Sequence, residues 1–154
     1  ALSLLVGGVI ILLIEKREKP ASIVSLGDLT YTTAFLIGLI QCLSMIPGVS
    51  RSGATIMGGL VSGLDRTTAT AFSFYLSLPI LILAGGYKLI KDGDKLSQVS
   101  GGAPALLVGT AAAFVTALVA VGWLLKYVSR HDFKVFAYYR IILGVLILAV
   151  LAVR

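Results

Sequence analysis

The chain has 154 residues, of which 58% are hydrophobic and 13% charged, and its net charge is +6. A soluble domain carries about 25% charged residues, so this chain is too poor in charge to cover a water-facing surface. The composition therefore indicates a membrane protein and excludes an ordinary soluble fold. Because the basic residues cluster between apolar stretches, they are typical of membrane loops, and we expect no nucleic acid partner. The lone Cys42 excludes a disulfide framework, and we expect it in the core.

The first segment, residues 1–14, is apolar from its first position and lacks the basic stretch with which a signal peptide begins. It is typical of the second half of a membrane helix. We therefore expect the sequence to be the C-terminal fragment of a longer chain, with residues 1–154 forming a single integral membrane domain.

Residues 29–64 predict a helical hairpin that enters the membrane, turns within it and leaves on the same side. Residues 29–50 are uncharged but contain the helix breakers Pro47-Gly48, and residues 55–64 form a second short apolar segment. Non-helical backbone at membrane depth is tolerated only where it is buried in protein or lines a wet cavity. Transporters also build binding sites at such broken helices.

Three later segments predict full membrane spans, because a helix that crosses the hydrocarbon needs roughly 20 residues. They lie at about 67–87, 103–126 and 134–153. With the hairpin, they predict an all-α, polytopic membrane helix bundle. Recurrent glycine pairs, and the GxxxG spacing of Gly59 and Gly63, indicate close helix packing.

The segment IPGVSRSGAT, residues 46–55, combines a helix break with an arginine between two serines. Ser50 and Ser52 are both favourable N-caps for a following helix, whose first N–H groups and dipole attract an anion. Arg51 offers a planar fork of donors that matches phosphate oxygens. The motif predicts a phosphate-binding turn, completed by the Thr55 hydroxyl and by Gly48 and Gly53, where backbone can approach a ligand closely. The alternative is that Arg51 snorkels or pairs with a carboxylate.

Residues 38–79, which contain this motif, closely resemble the second signature region of the undecaprenyl-diphosphate phosphatase family, the bacitracin-resistance membrane proteins of bacteria. The core PGxSRSGxT is complete from Pro47 to Thr55, and FAYYRIILG at 136–144 is similar to the last helix of that family. The resemblance covers almost the whole chain, but only the C-terminal half or somewhat more of a family member.

This resemblance implies a hydrolase of the bacterial inner (cell) membrane that releases phosphate from undecaprenyl diphosphate. That reaction recycles the lipid carrier for peptidoglycan synthesis, which links the family to cell wall biogenesis, cell shape and bacitracin resistance. The implied fold is a helix bundle with inverted repeats and re-entrant helices, of which this chain would be half. The implied cofactor is a divalent cation, Mg or Ca. The implied catalytic residues are Arg51, Ser50, Ser52 and Thr55, with Gly48 and Gly53 binding substrate.

The chain departs from the family pattern in one respect. The first signature of the family, a glutamate-rich segment followed by a histidine motif, is absent, so we expect no metal ligands in this chain. His131, Asp65-Arg66 and the pair Asp92 and Asp94 are interpreted as loop charges and helix caps. The chain is therefore expected to hold only part of a catalytic site.

Several alternatives stay open from the sequence. Arg140, within the last apolar segment, either snorkels from its helix end or helps to bind substrate in a polar cavity. The hydroxyl groups could be ligands, or a serine could be the nucleophile if a base stood near. A transporter or flippase for a polyprenyl phosphate is the alternative function, and an inactive remnant is a third. A homodimer is a further expectation.

Overall fold

The computed structural model describes residues 1–16, 20–93 and 102–153. Within these ranges the secondary structure is helical, apart from one isolated parallel bridge between Ile23 and Leu64. Short 3-10 turns lie at Leu26–Asp28 and Cys42–Met45. The α-helices of the described residues are α1 Leu2–Glu15, α2 Tyr31–Gln41, α3 Arg51–Val61, α4 Arg66–Asp92, α5 Gly102–Val128 and α6 Lys134–Val153.

Three of these helices are long and apolar enough to cross a membrane, namely Arg66–Asp92, Pro104–Val128 and Lys134–Val153. The first helix ends five residues after the predicted span, the second starts one residue later and ends two residues later than predicted, and the bounds of the third coincide with the prediction. Helix α4 continues through Pro79, which membrane helices tolerate because neighbouring groups can satisfy the freed carbonyl. The predicted all-α membrane helix bundle is confirmed, and the chain is a multi-pass membrane protein.

The predicted hairpin region contains two short helices separated by a break. Helix α2 starts after Thr30, whose hydroxyl accepts a hydrogen bond from Thr33 N at 3.2 Å. After the break, α3 has 11 residues, which gives a length of about 16 Å, roughly half the hydrocarbon thickness. Re-entry into the membrane and the inverted repeat stay predictions. Cys42, expected in the core, is exposed, so that prediction is wrong.

The chain divides into two compact units, residues 1–73 with 128–154, and residues 74–127. A single membrane domain stays a prediction. In the first unit α1 packs against α6 and α3, and α2 packs against α3. In the second unit the apolar side chains of α5 are exposed, as expected for a surface in contact with lipid.

Glycines allow the close approach of helices in the first unit. A Cβ at Gly8 would lie 2.6 Å from Ile141 Cγ1, and one at Gly59 would lie 2.9 Å from the Ala69 Cβ. The predicted packing role is confirmed for Gly8 and Gly59, but it is wrong for Gly85 and Gly86, where an added Cβ would meet nothing within 4 Å among the described residues. Gly63 is different, because it lies beyond the end of α3 with a φ of +93°. The GxxxG interpretation is therefore wrong, since Gly63 forms the left-handed C-terminal cap of the helix.

Glu15 joins three segments of the first unit. Its side chain is 1% exposed and forms an ion pair with Arg66. Glu15 Oε1 accepts hydrogen bonds from Arg66 Nε at 3.1 Å and from Phe133 N at 3.0 Å.

Asp65 caps α4 by accepting hydrogen bonds from Thr67 N and Thr68 N at 3.2 and 3.1 Å. The predicted cap at Asp65 is confirmed, and Arg66 adds an ion pair that the sequence did not reveal.

Candidate active site

The approach to α3 is a tight turn followed by a capped helix start. Val49 N donates to Ile46 O at 3.0 Å, and Gly48 has a φ of +86°. A type II turn has this pattern, with proline at its second position and a glycine of positive φ at its third. The turn follows α2 and its 3-10 extension, and it leads directly into α3.

Ser50 is the N-cap, which decides between the two serines predicted for that role. Its Oγ accepts a hydrogen bond from Gly53 N at 3.1 Å. A Cβ on Gly53 would lie 3.2 Å from the Ser50 Cβ, closer than ordinary van der Waals contact, so a glycine at this position leaves room for the cap. Ser52 Oγ lies 3.2 Å from Ser50 Oγ and is exposed. The two hydroxyl groups therefore lie side by side at the start of α3.

Arg51 is the first residue of α3, and its side chain is half-buried. Among the described residues, its guanidinium has no hydrogen-bond or ion-pair partner, and the backbone N–H groups of Arg51 and Ser52 have no acceptor. The first N–H groups of a helix commonly need an outside acceptor, and the helix dipole favours an anion there. Unpaired backbone donors and an unpaired cation thus occupy the same helix start.

Thr55 lies one turn further on and is 1% exposed. Its hydroxyl lies 3.1 Å from the carbonyl oxygens of Arg51 and Ser52 and 2.6 Å from Ser73 Oγ. All of these contacts are within the protein, so the hydroxyl is directed into the contact between α3 and α4. Its predicted catalytic role stays a prediction, and the contacts indicate that Thr55 supports the first turn of α3.

Ser73 was missed by the sequence reasoning, although a signal was present. Thr70, Ser73 and Ser77 are three and four residues apart, so they share one face of α4. All three are buried, at 0%, 7% and 8% exposure. Polar residues at helical spacing within a membrane helix indicate a face that is turned toward protein.

A cavity of about 330 Å³ lies beside the start of α3. Its walls are mostly aliphatic side chains of α1, α2 and α3, such as Ile10, Ile40 and Met57, and its polar lining includes Ser50 and Arg140. This volume lies at the lower end of the range for small-molecule sites. The lining is almost entirely apolar, which suits the apolar chain of a ligand.

Arg140 lines this cavity and donates a hydrogen bond to the Gly48 carbonyl. The sequence had left open whether its side chain snorkels to the membrane surface or contributes to a polar cavity. The structure thus brings Ser50, Gly53 and Arg140 together at the cavity, with Gly48 bonded to Arg140 and Ser52 beside Ser50. Arg51 is the first residue of α3 but is not among the described residues that line the cavity, and Thr55 lies one turn behind it. Their predicted catalytic and substrate-binding roles stay predictions.

The described residues do not fit a divalent cation. Within 1–16, 20–93 and 102–153, no group of three or more His, Cys, Asp or Glu could hold a metal ion. Glu15 and Asp65 are engaged as described above. Asp132 forms an ion pair with Lys134 at 2.6 Å, and the hydrogen bond from Lys134 holds the pKa of Asp132 below its usual value. Asp94, predicted to be a loop charge, lies outside the described residues.

The fold and this site define a class, a multi-pass helical membrane protein with a donor-rich helix start beside an apolar cavity. The chain matches the family model described as bacitracin resistance protein BacA over residues 1–146. The chain therefore belongs to the BacA family, and the resemblance noted from the sequence is confirmed.

Two curated relatives carry names that describe an activity. The chain is 47% identical over 154 residues to undecaprenyl-diphosphatase 1 of Burkholderia lata, covering 97% of this chain and 55% of that protein. It is 48% identical over 145 residues to undecaprenyl-diphosphatase of Methylococcus capsulatus, covering 94% of this chain and 52% of that protein. The chain thus spans about half the length of the curated relatives it matches.

Proposed function

We propose that this chain forms the phosphate-binding part of a membrane phosphatase that hydrolyses undecaprenyl diphosphate to undecaprenyl phosphate and phosphate. The observation that carries the proposal is the start of α3, where the Arg51 side chain and two backbone N–H groups lack partners among the described residues. The names of the relatives support hydrolysis. Nothing in the described residues favours the transport alternative.

Phosphoryl transfer depends mostly on positioning and on stabilising the charge that moves to the leaving oxygen. We assign the stabilisation to the Arg51 side chain and to the N–H groups of Arg51 and Ser52. The helix fixes these N–H groups in place before the reaction. The fork of the guanidinium would bind two non-bridging oxygens of one phosphate at once.

The serine hydroxyls fit the role of ligands better than that of nucleophile. Ser50 Oγ accepts from Gly53 N and lies beside Ser52 Oγ. Neither hydroxyl has a hydrogen bond to a His, Asp or Glu among the residues that the structure describes, and a serine nucleophile needs such a base. We therefore propose that they donate to phosphate oxygens.

A divalent cation, implied by the family resemblance, would need ligands from outside the described residues. The lipid tail of the substrate suits the apolar wall of the cavity, which begins beside Ser50. We further propose the bacterial inner membrane as the location, peptidoglycan carrier recycling with bacitracin resistance as the role, and a homodimer as the assembly.

The test is phosphate release from undecaprenyl diphosphate by the full-length protein, purified in detergent with Mg²⁺ or Ca²⁺ supplied. Arg51→Ala should abolish release, whereas Arg130→Ala, a change at an exposed loop arginine, should leave it unchanged. Release that survives Arg51→Ala would remove the assignment of this site. A folded wild-type protein that releases no phosphate would replace the phosphatase with the lipid-phosphate carrier.

A further inference from the structure

The Pro47-Gly48 turn is held from outside by side chains of α1 and α6. Ser3 Oγ donates to the Pro47 carbonyl at 2.8 Å. Arg140 Nη2 donates to the Gly48 carbonyl at 3.4 Å and to the Ser3 carbonyl at 3.2 Å. One guanidinium nitrogen therefore links α6, the first turn of α1 and the turn that precedes α3.

Two glycines make this arrangement sterically feasible. A Cβ at Gly7 would lie 2.6 Å from Arg140 Nη2 and 3.1 Å from its Cζ, so a side chain there would displace the guanidinium. A Cβ at Gly48 would lie 3.0 Å from the Ser3 Cβ, and its φ of +86° also disfavours other residues. The fit of Arg140 against the turn thus depends on residues from three segments.

The guanidinium is retained at a cost to folding stability. Its Nε is buried and has no hydrogen-bond partner, and no carboxylate pairs with it, among the described residues. A buried donor without an acceptor is destabilising. An apolar side chain of similar length could occupy such a position without loss of stability, because buried charges are often replaced in that way. Folding alone therefore does not account for an arginine here.

We propose that Arg140 is a positioning residue that anchors the Pro47-Gly48 turn and so orients the donors at the start of α3. The effect on activity rests on the proposed function, whereas the effect on the turn does not. If the turn loosens, the N–H groups of Arg51 and Ser52 lose their common direction. Catalysis is sensitive to misplacement of about 1 Å, so the anchor should act on turnover and only weakly on substrate affinity.

The experiment compares Arg140→Met, Arg140→Lys and Tyr139→Phe in the full-length protein in detergent. Tyr139 precedes Arg140 on α6 and is 65% exposed, which makes it a matched control. Three quantities are measured: the melting temperature, hydrogen exchange of the backbone amides in residues 46–53, and kcat and KM for phosphate release.

For Arg140→Met we expect an unchanged or higher melting temperature. We also expect exchange about tenfold faster at the hydrogen-bonded amides of Ile46, Val49 and Gly53, equivalent to one lost hydrogen bond. We expect kcat to fall about tenfold or more while KM changes by less than about threefold. Arg140→Lys should recover most of the exchange protection and kcat, because a carbonyl needs one donor and no fork. Tyr139→Phe should match the wild type.

Two results would overturn the proposal, and a third would overturn only the proposed function. A fall in melting temperature that tracks the loss of activity would make Arg140 purely structural. Unchanged exchange, with KM raised in both the Met and Lys variants, would make Arg140 a direct phosphate ligand. If the wild-type protein released no phosphate, the proposed function would fail by itself, and exchange would still decide the anchor: faster exchange in Arg140→Met supports it, and unchanged exchange rejects it.

Discussion

The ion pair between Glu15 and Arg66 predicts an unequal response to loss of either partner. The Glu15 side chain is 1% exposed, whereas that of Arg66 is 45% exposed. In Arg66→Met, the buried Glu15 carboxylate would keep one hydrogen-bond donor among the described residues, the N–H of Phe133. In Glu15→Gln, the amide oxygen can still accept from Phe133 N, and water can solvate the exposed arginine. We therefore expect Arg66→Met to be the more destabilising change.

The magnitudes follow from burial. Removing one partner of a buried ion pair costs about 3–5 kcal/mol. Glu15→Gln should cost about 1–2 kcal/mol, because the pair is weakened on its exposed side by solvent screening.

The assay is the melting temperature of the detergent-purified full-length protein. Each kcal/mol shifts the midpoint by about 2–4 °C for a chain of about 150–250 residues. Because the relatives are about twice as long as this chain, the lower end applies, and we expect a loss of about 8 °C for Arg66→Met and about 3 °C for Glu15→Gln. The double variant should melt above Arg66→Met, since a neutral amide needs no cation. Equal losses in the two single variants, or additive losses in the double variant, would refute the burial argument.

Three further predictions concern the start of α3. Arg51→Lys should lose most phosphate release, because a point charge does not replace the bidentate fork, and an unaffected Lys variant would contradict phosphate binding through that fork. Ser73→Ala should lower the melting temperature by about 2–6 °C, since it removes the closest partner of the Thr55 hydroxyl. Thr32→Ala, at an exposed position of α2, is the control, and an equal response in the two variants would argue against the Thr55–Ser73 contact. A cysteine at Val49 or Gly53 should react with a water-soluble thiol reagent if the turn lines a wet cavity, measured in a Cys42→Ser background, and complete protection would exclude that cavity.

The class of protein and the long helices were predictable from the sequence because they depend on local properties. Hydropathy over a window of about 20 residues determines which helices can cross a membrane, and α6 accordingly starts and ends where the sequence placed it. The start of α3 was also predictable to within two residues, since a serine cap, a preceding proline and a glycine act within one turn. The resemblance to the family rested on residues 38–79, which contain this segment, and on residues 136–144.

The contacts that hold the site together were not predictable, because they join residues far apart along the chain. Glu15 meets Arg66 and Phe133 across separations of 51 and 118 residues, and Ser3 meets Arg140 across 137. A single sequence shows that these residues are polar, but their partners depend on which helix faces pack together. Thr55 illustrates the difference: its place in the motif was evident, yet only the packing of α3 on α4 directs its hydroxyl inward to Ser73.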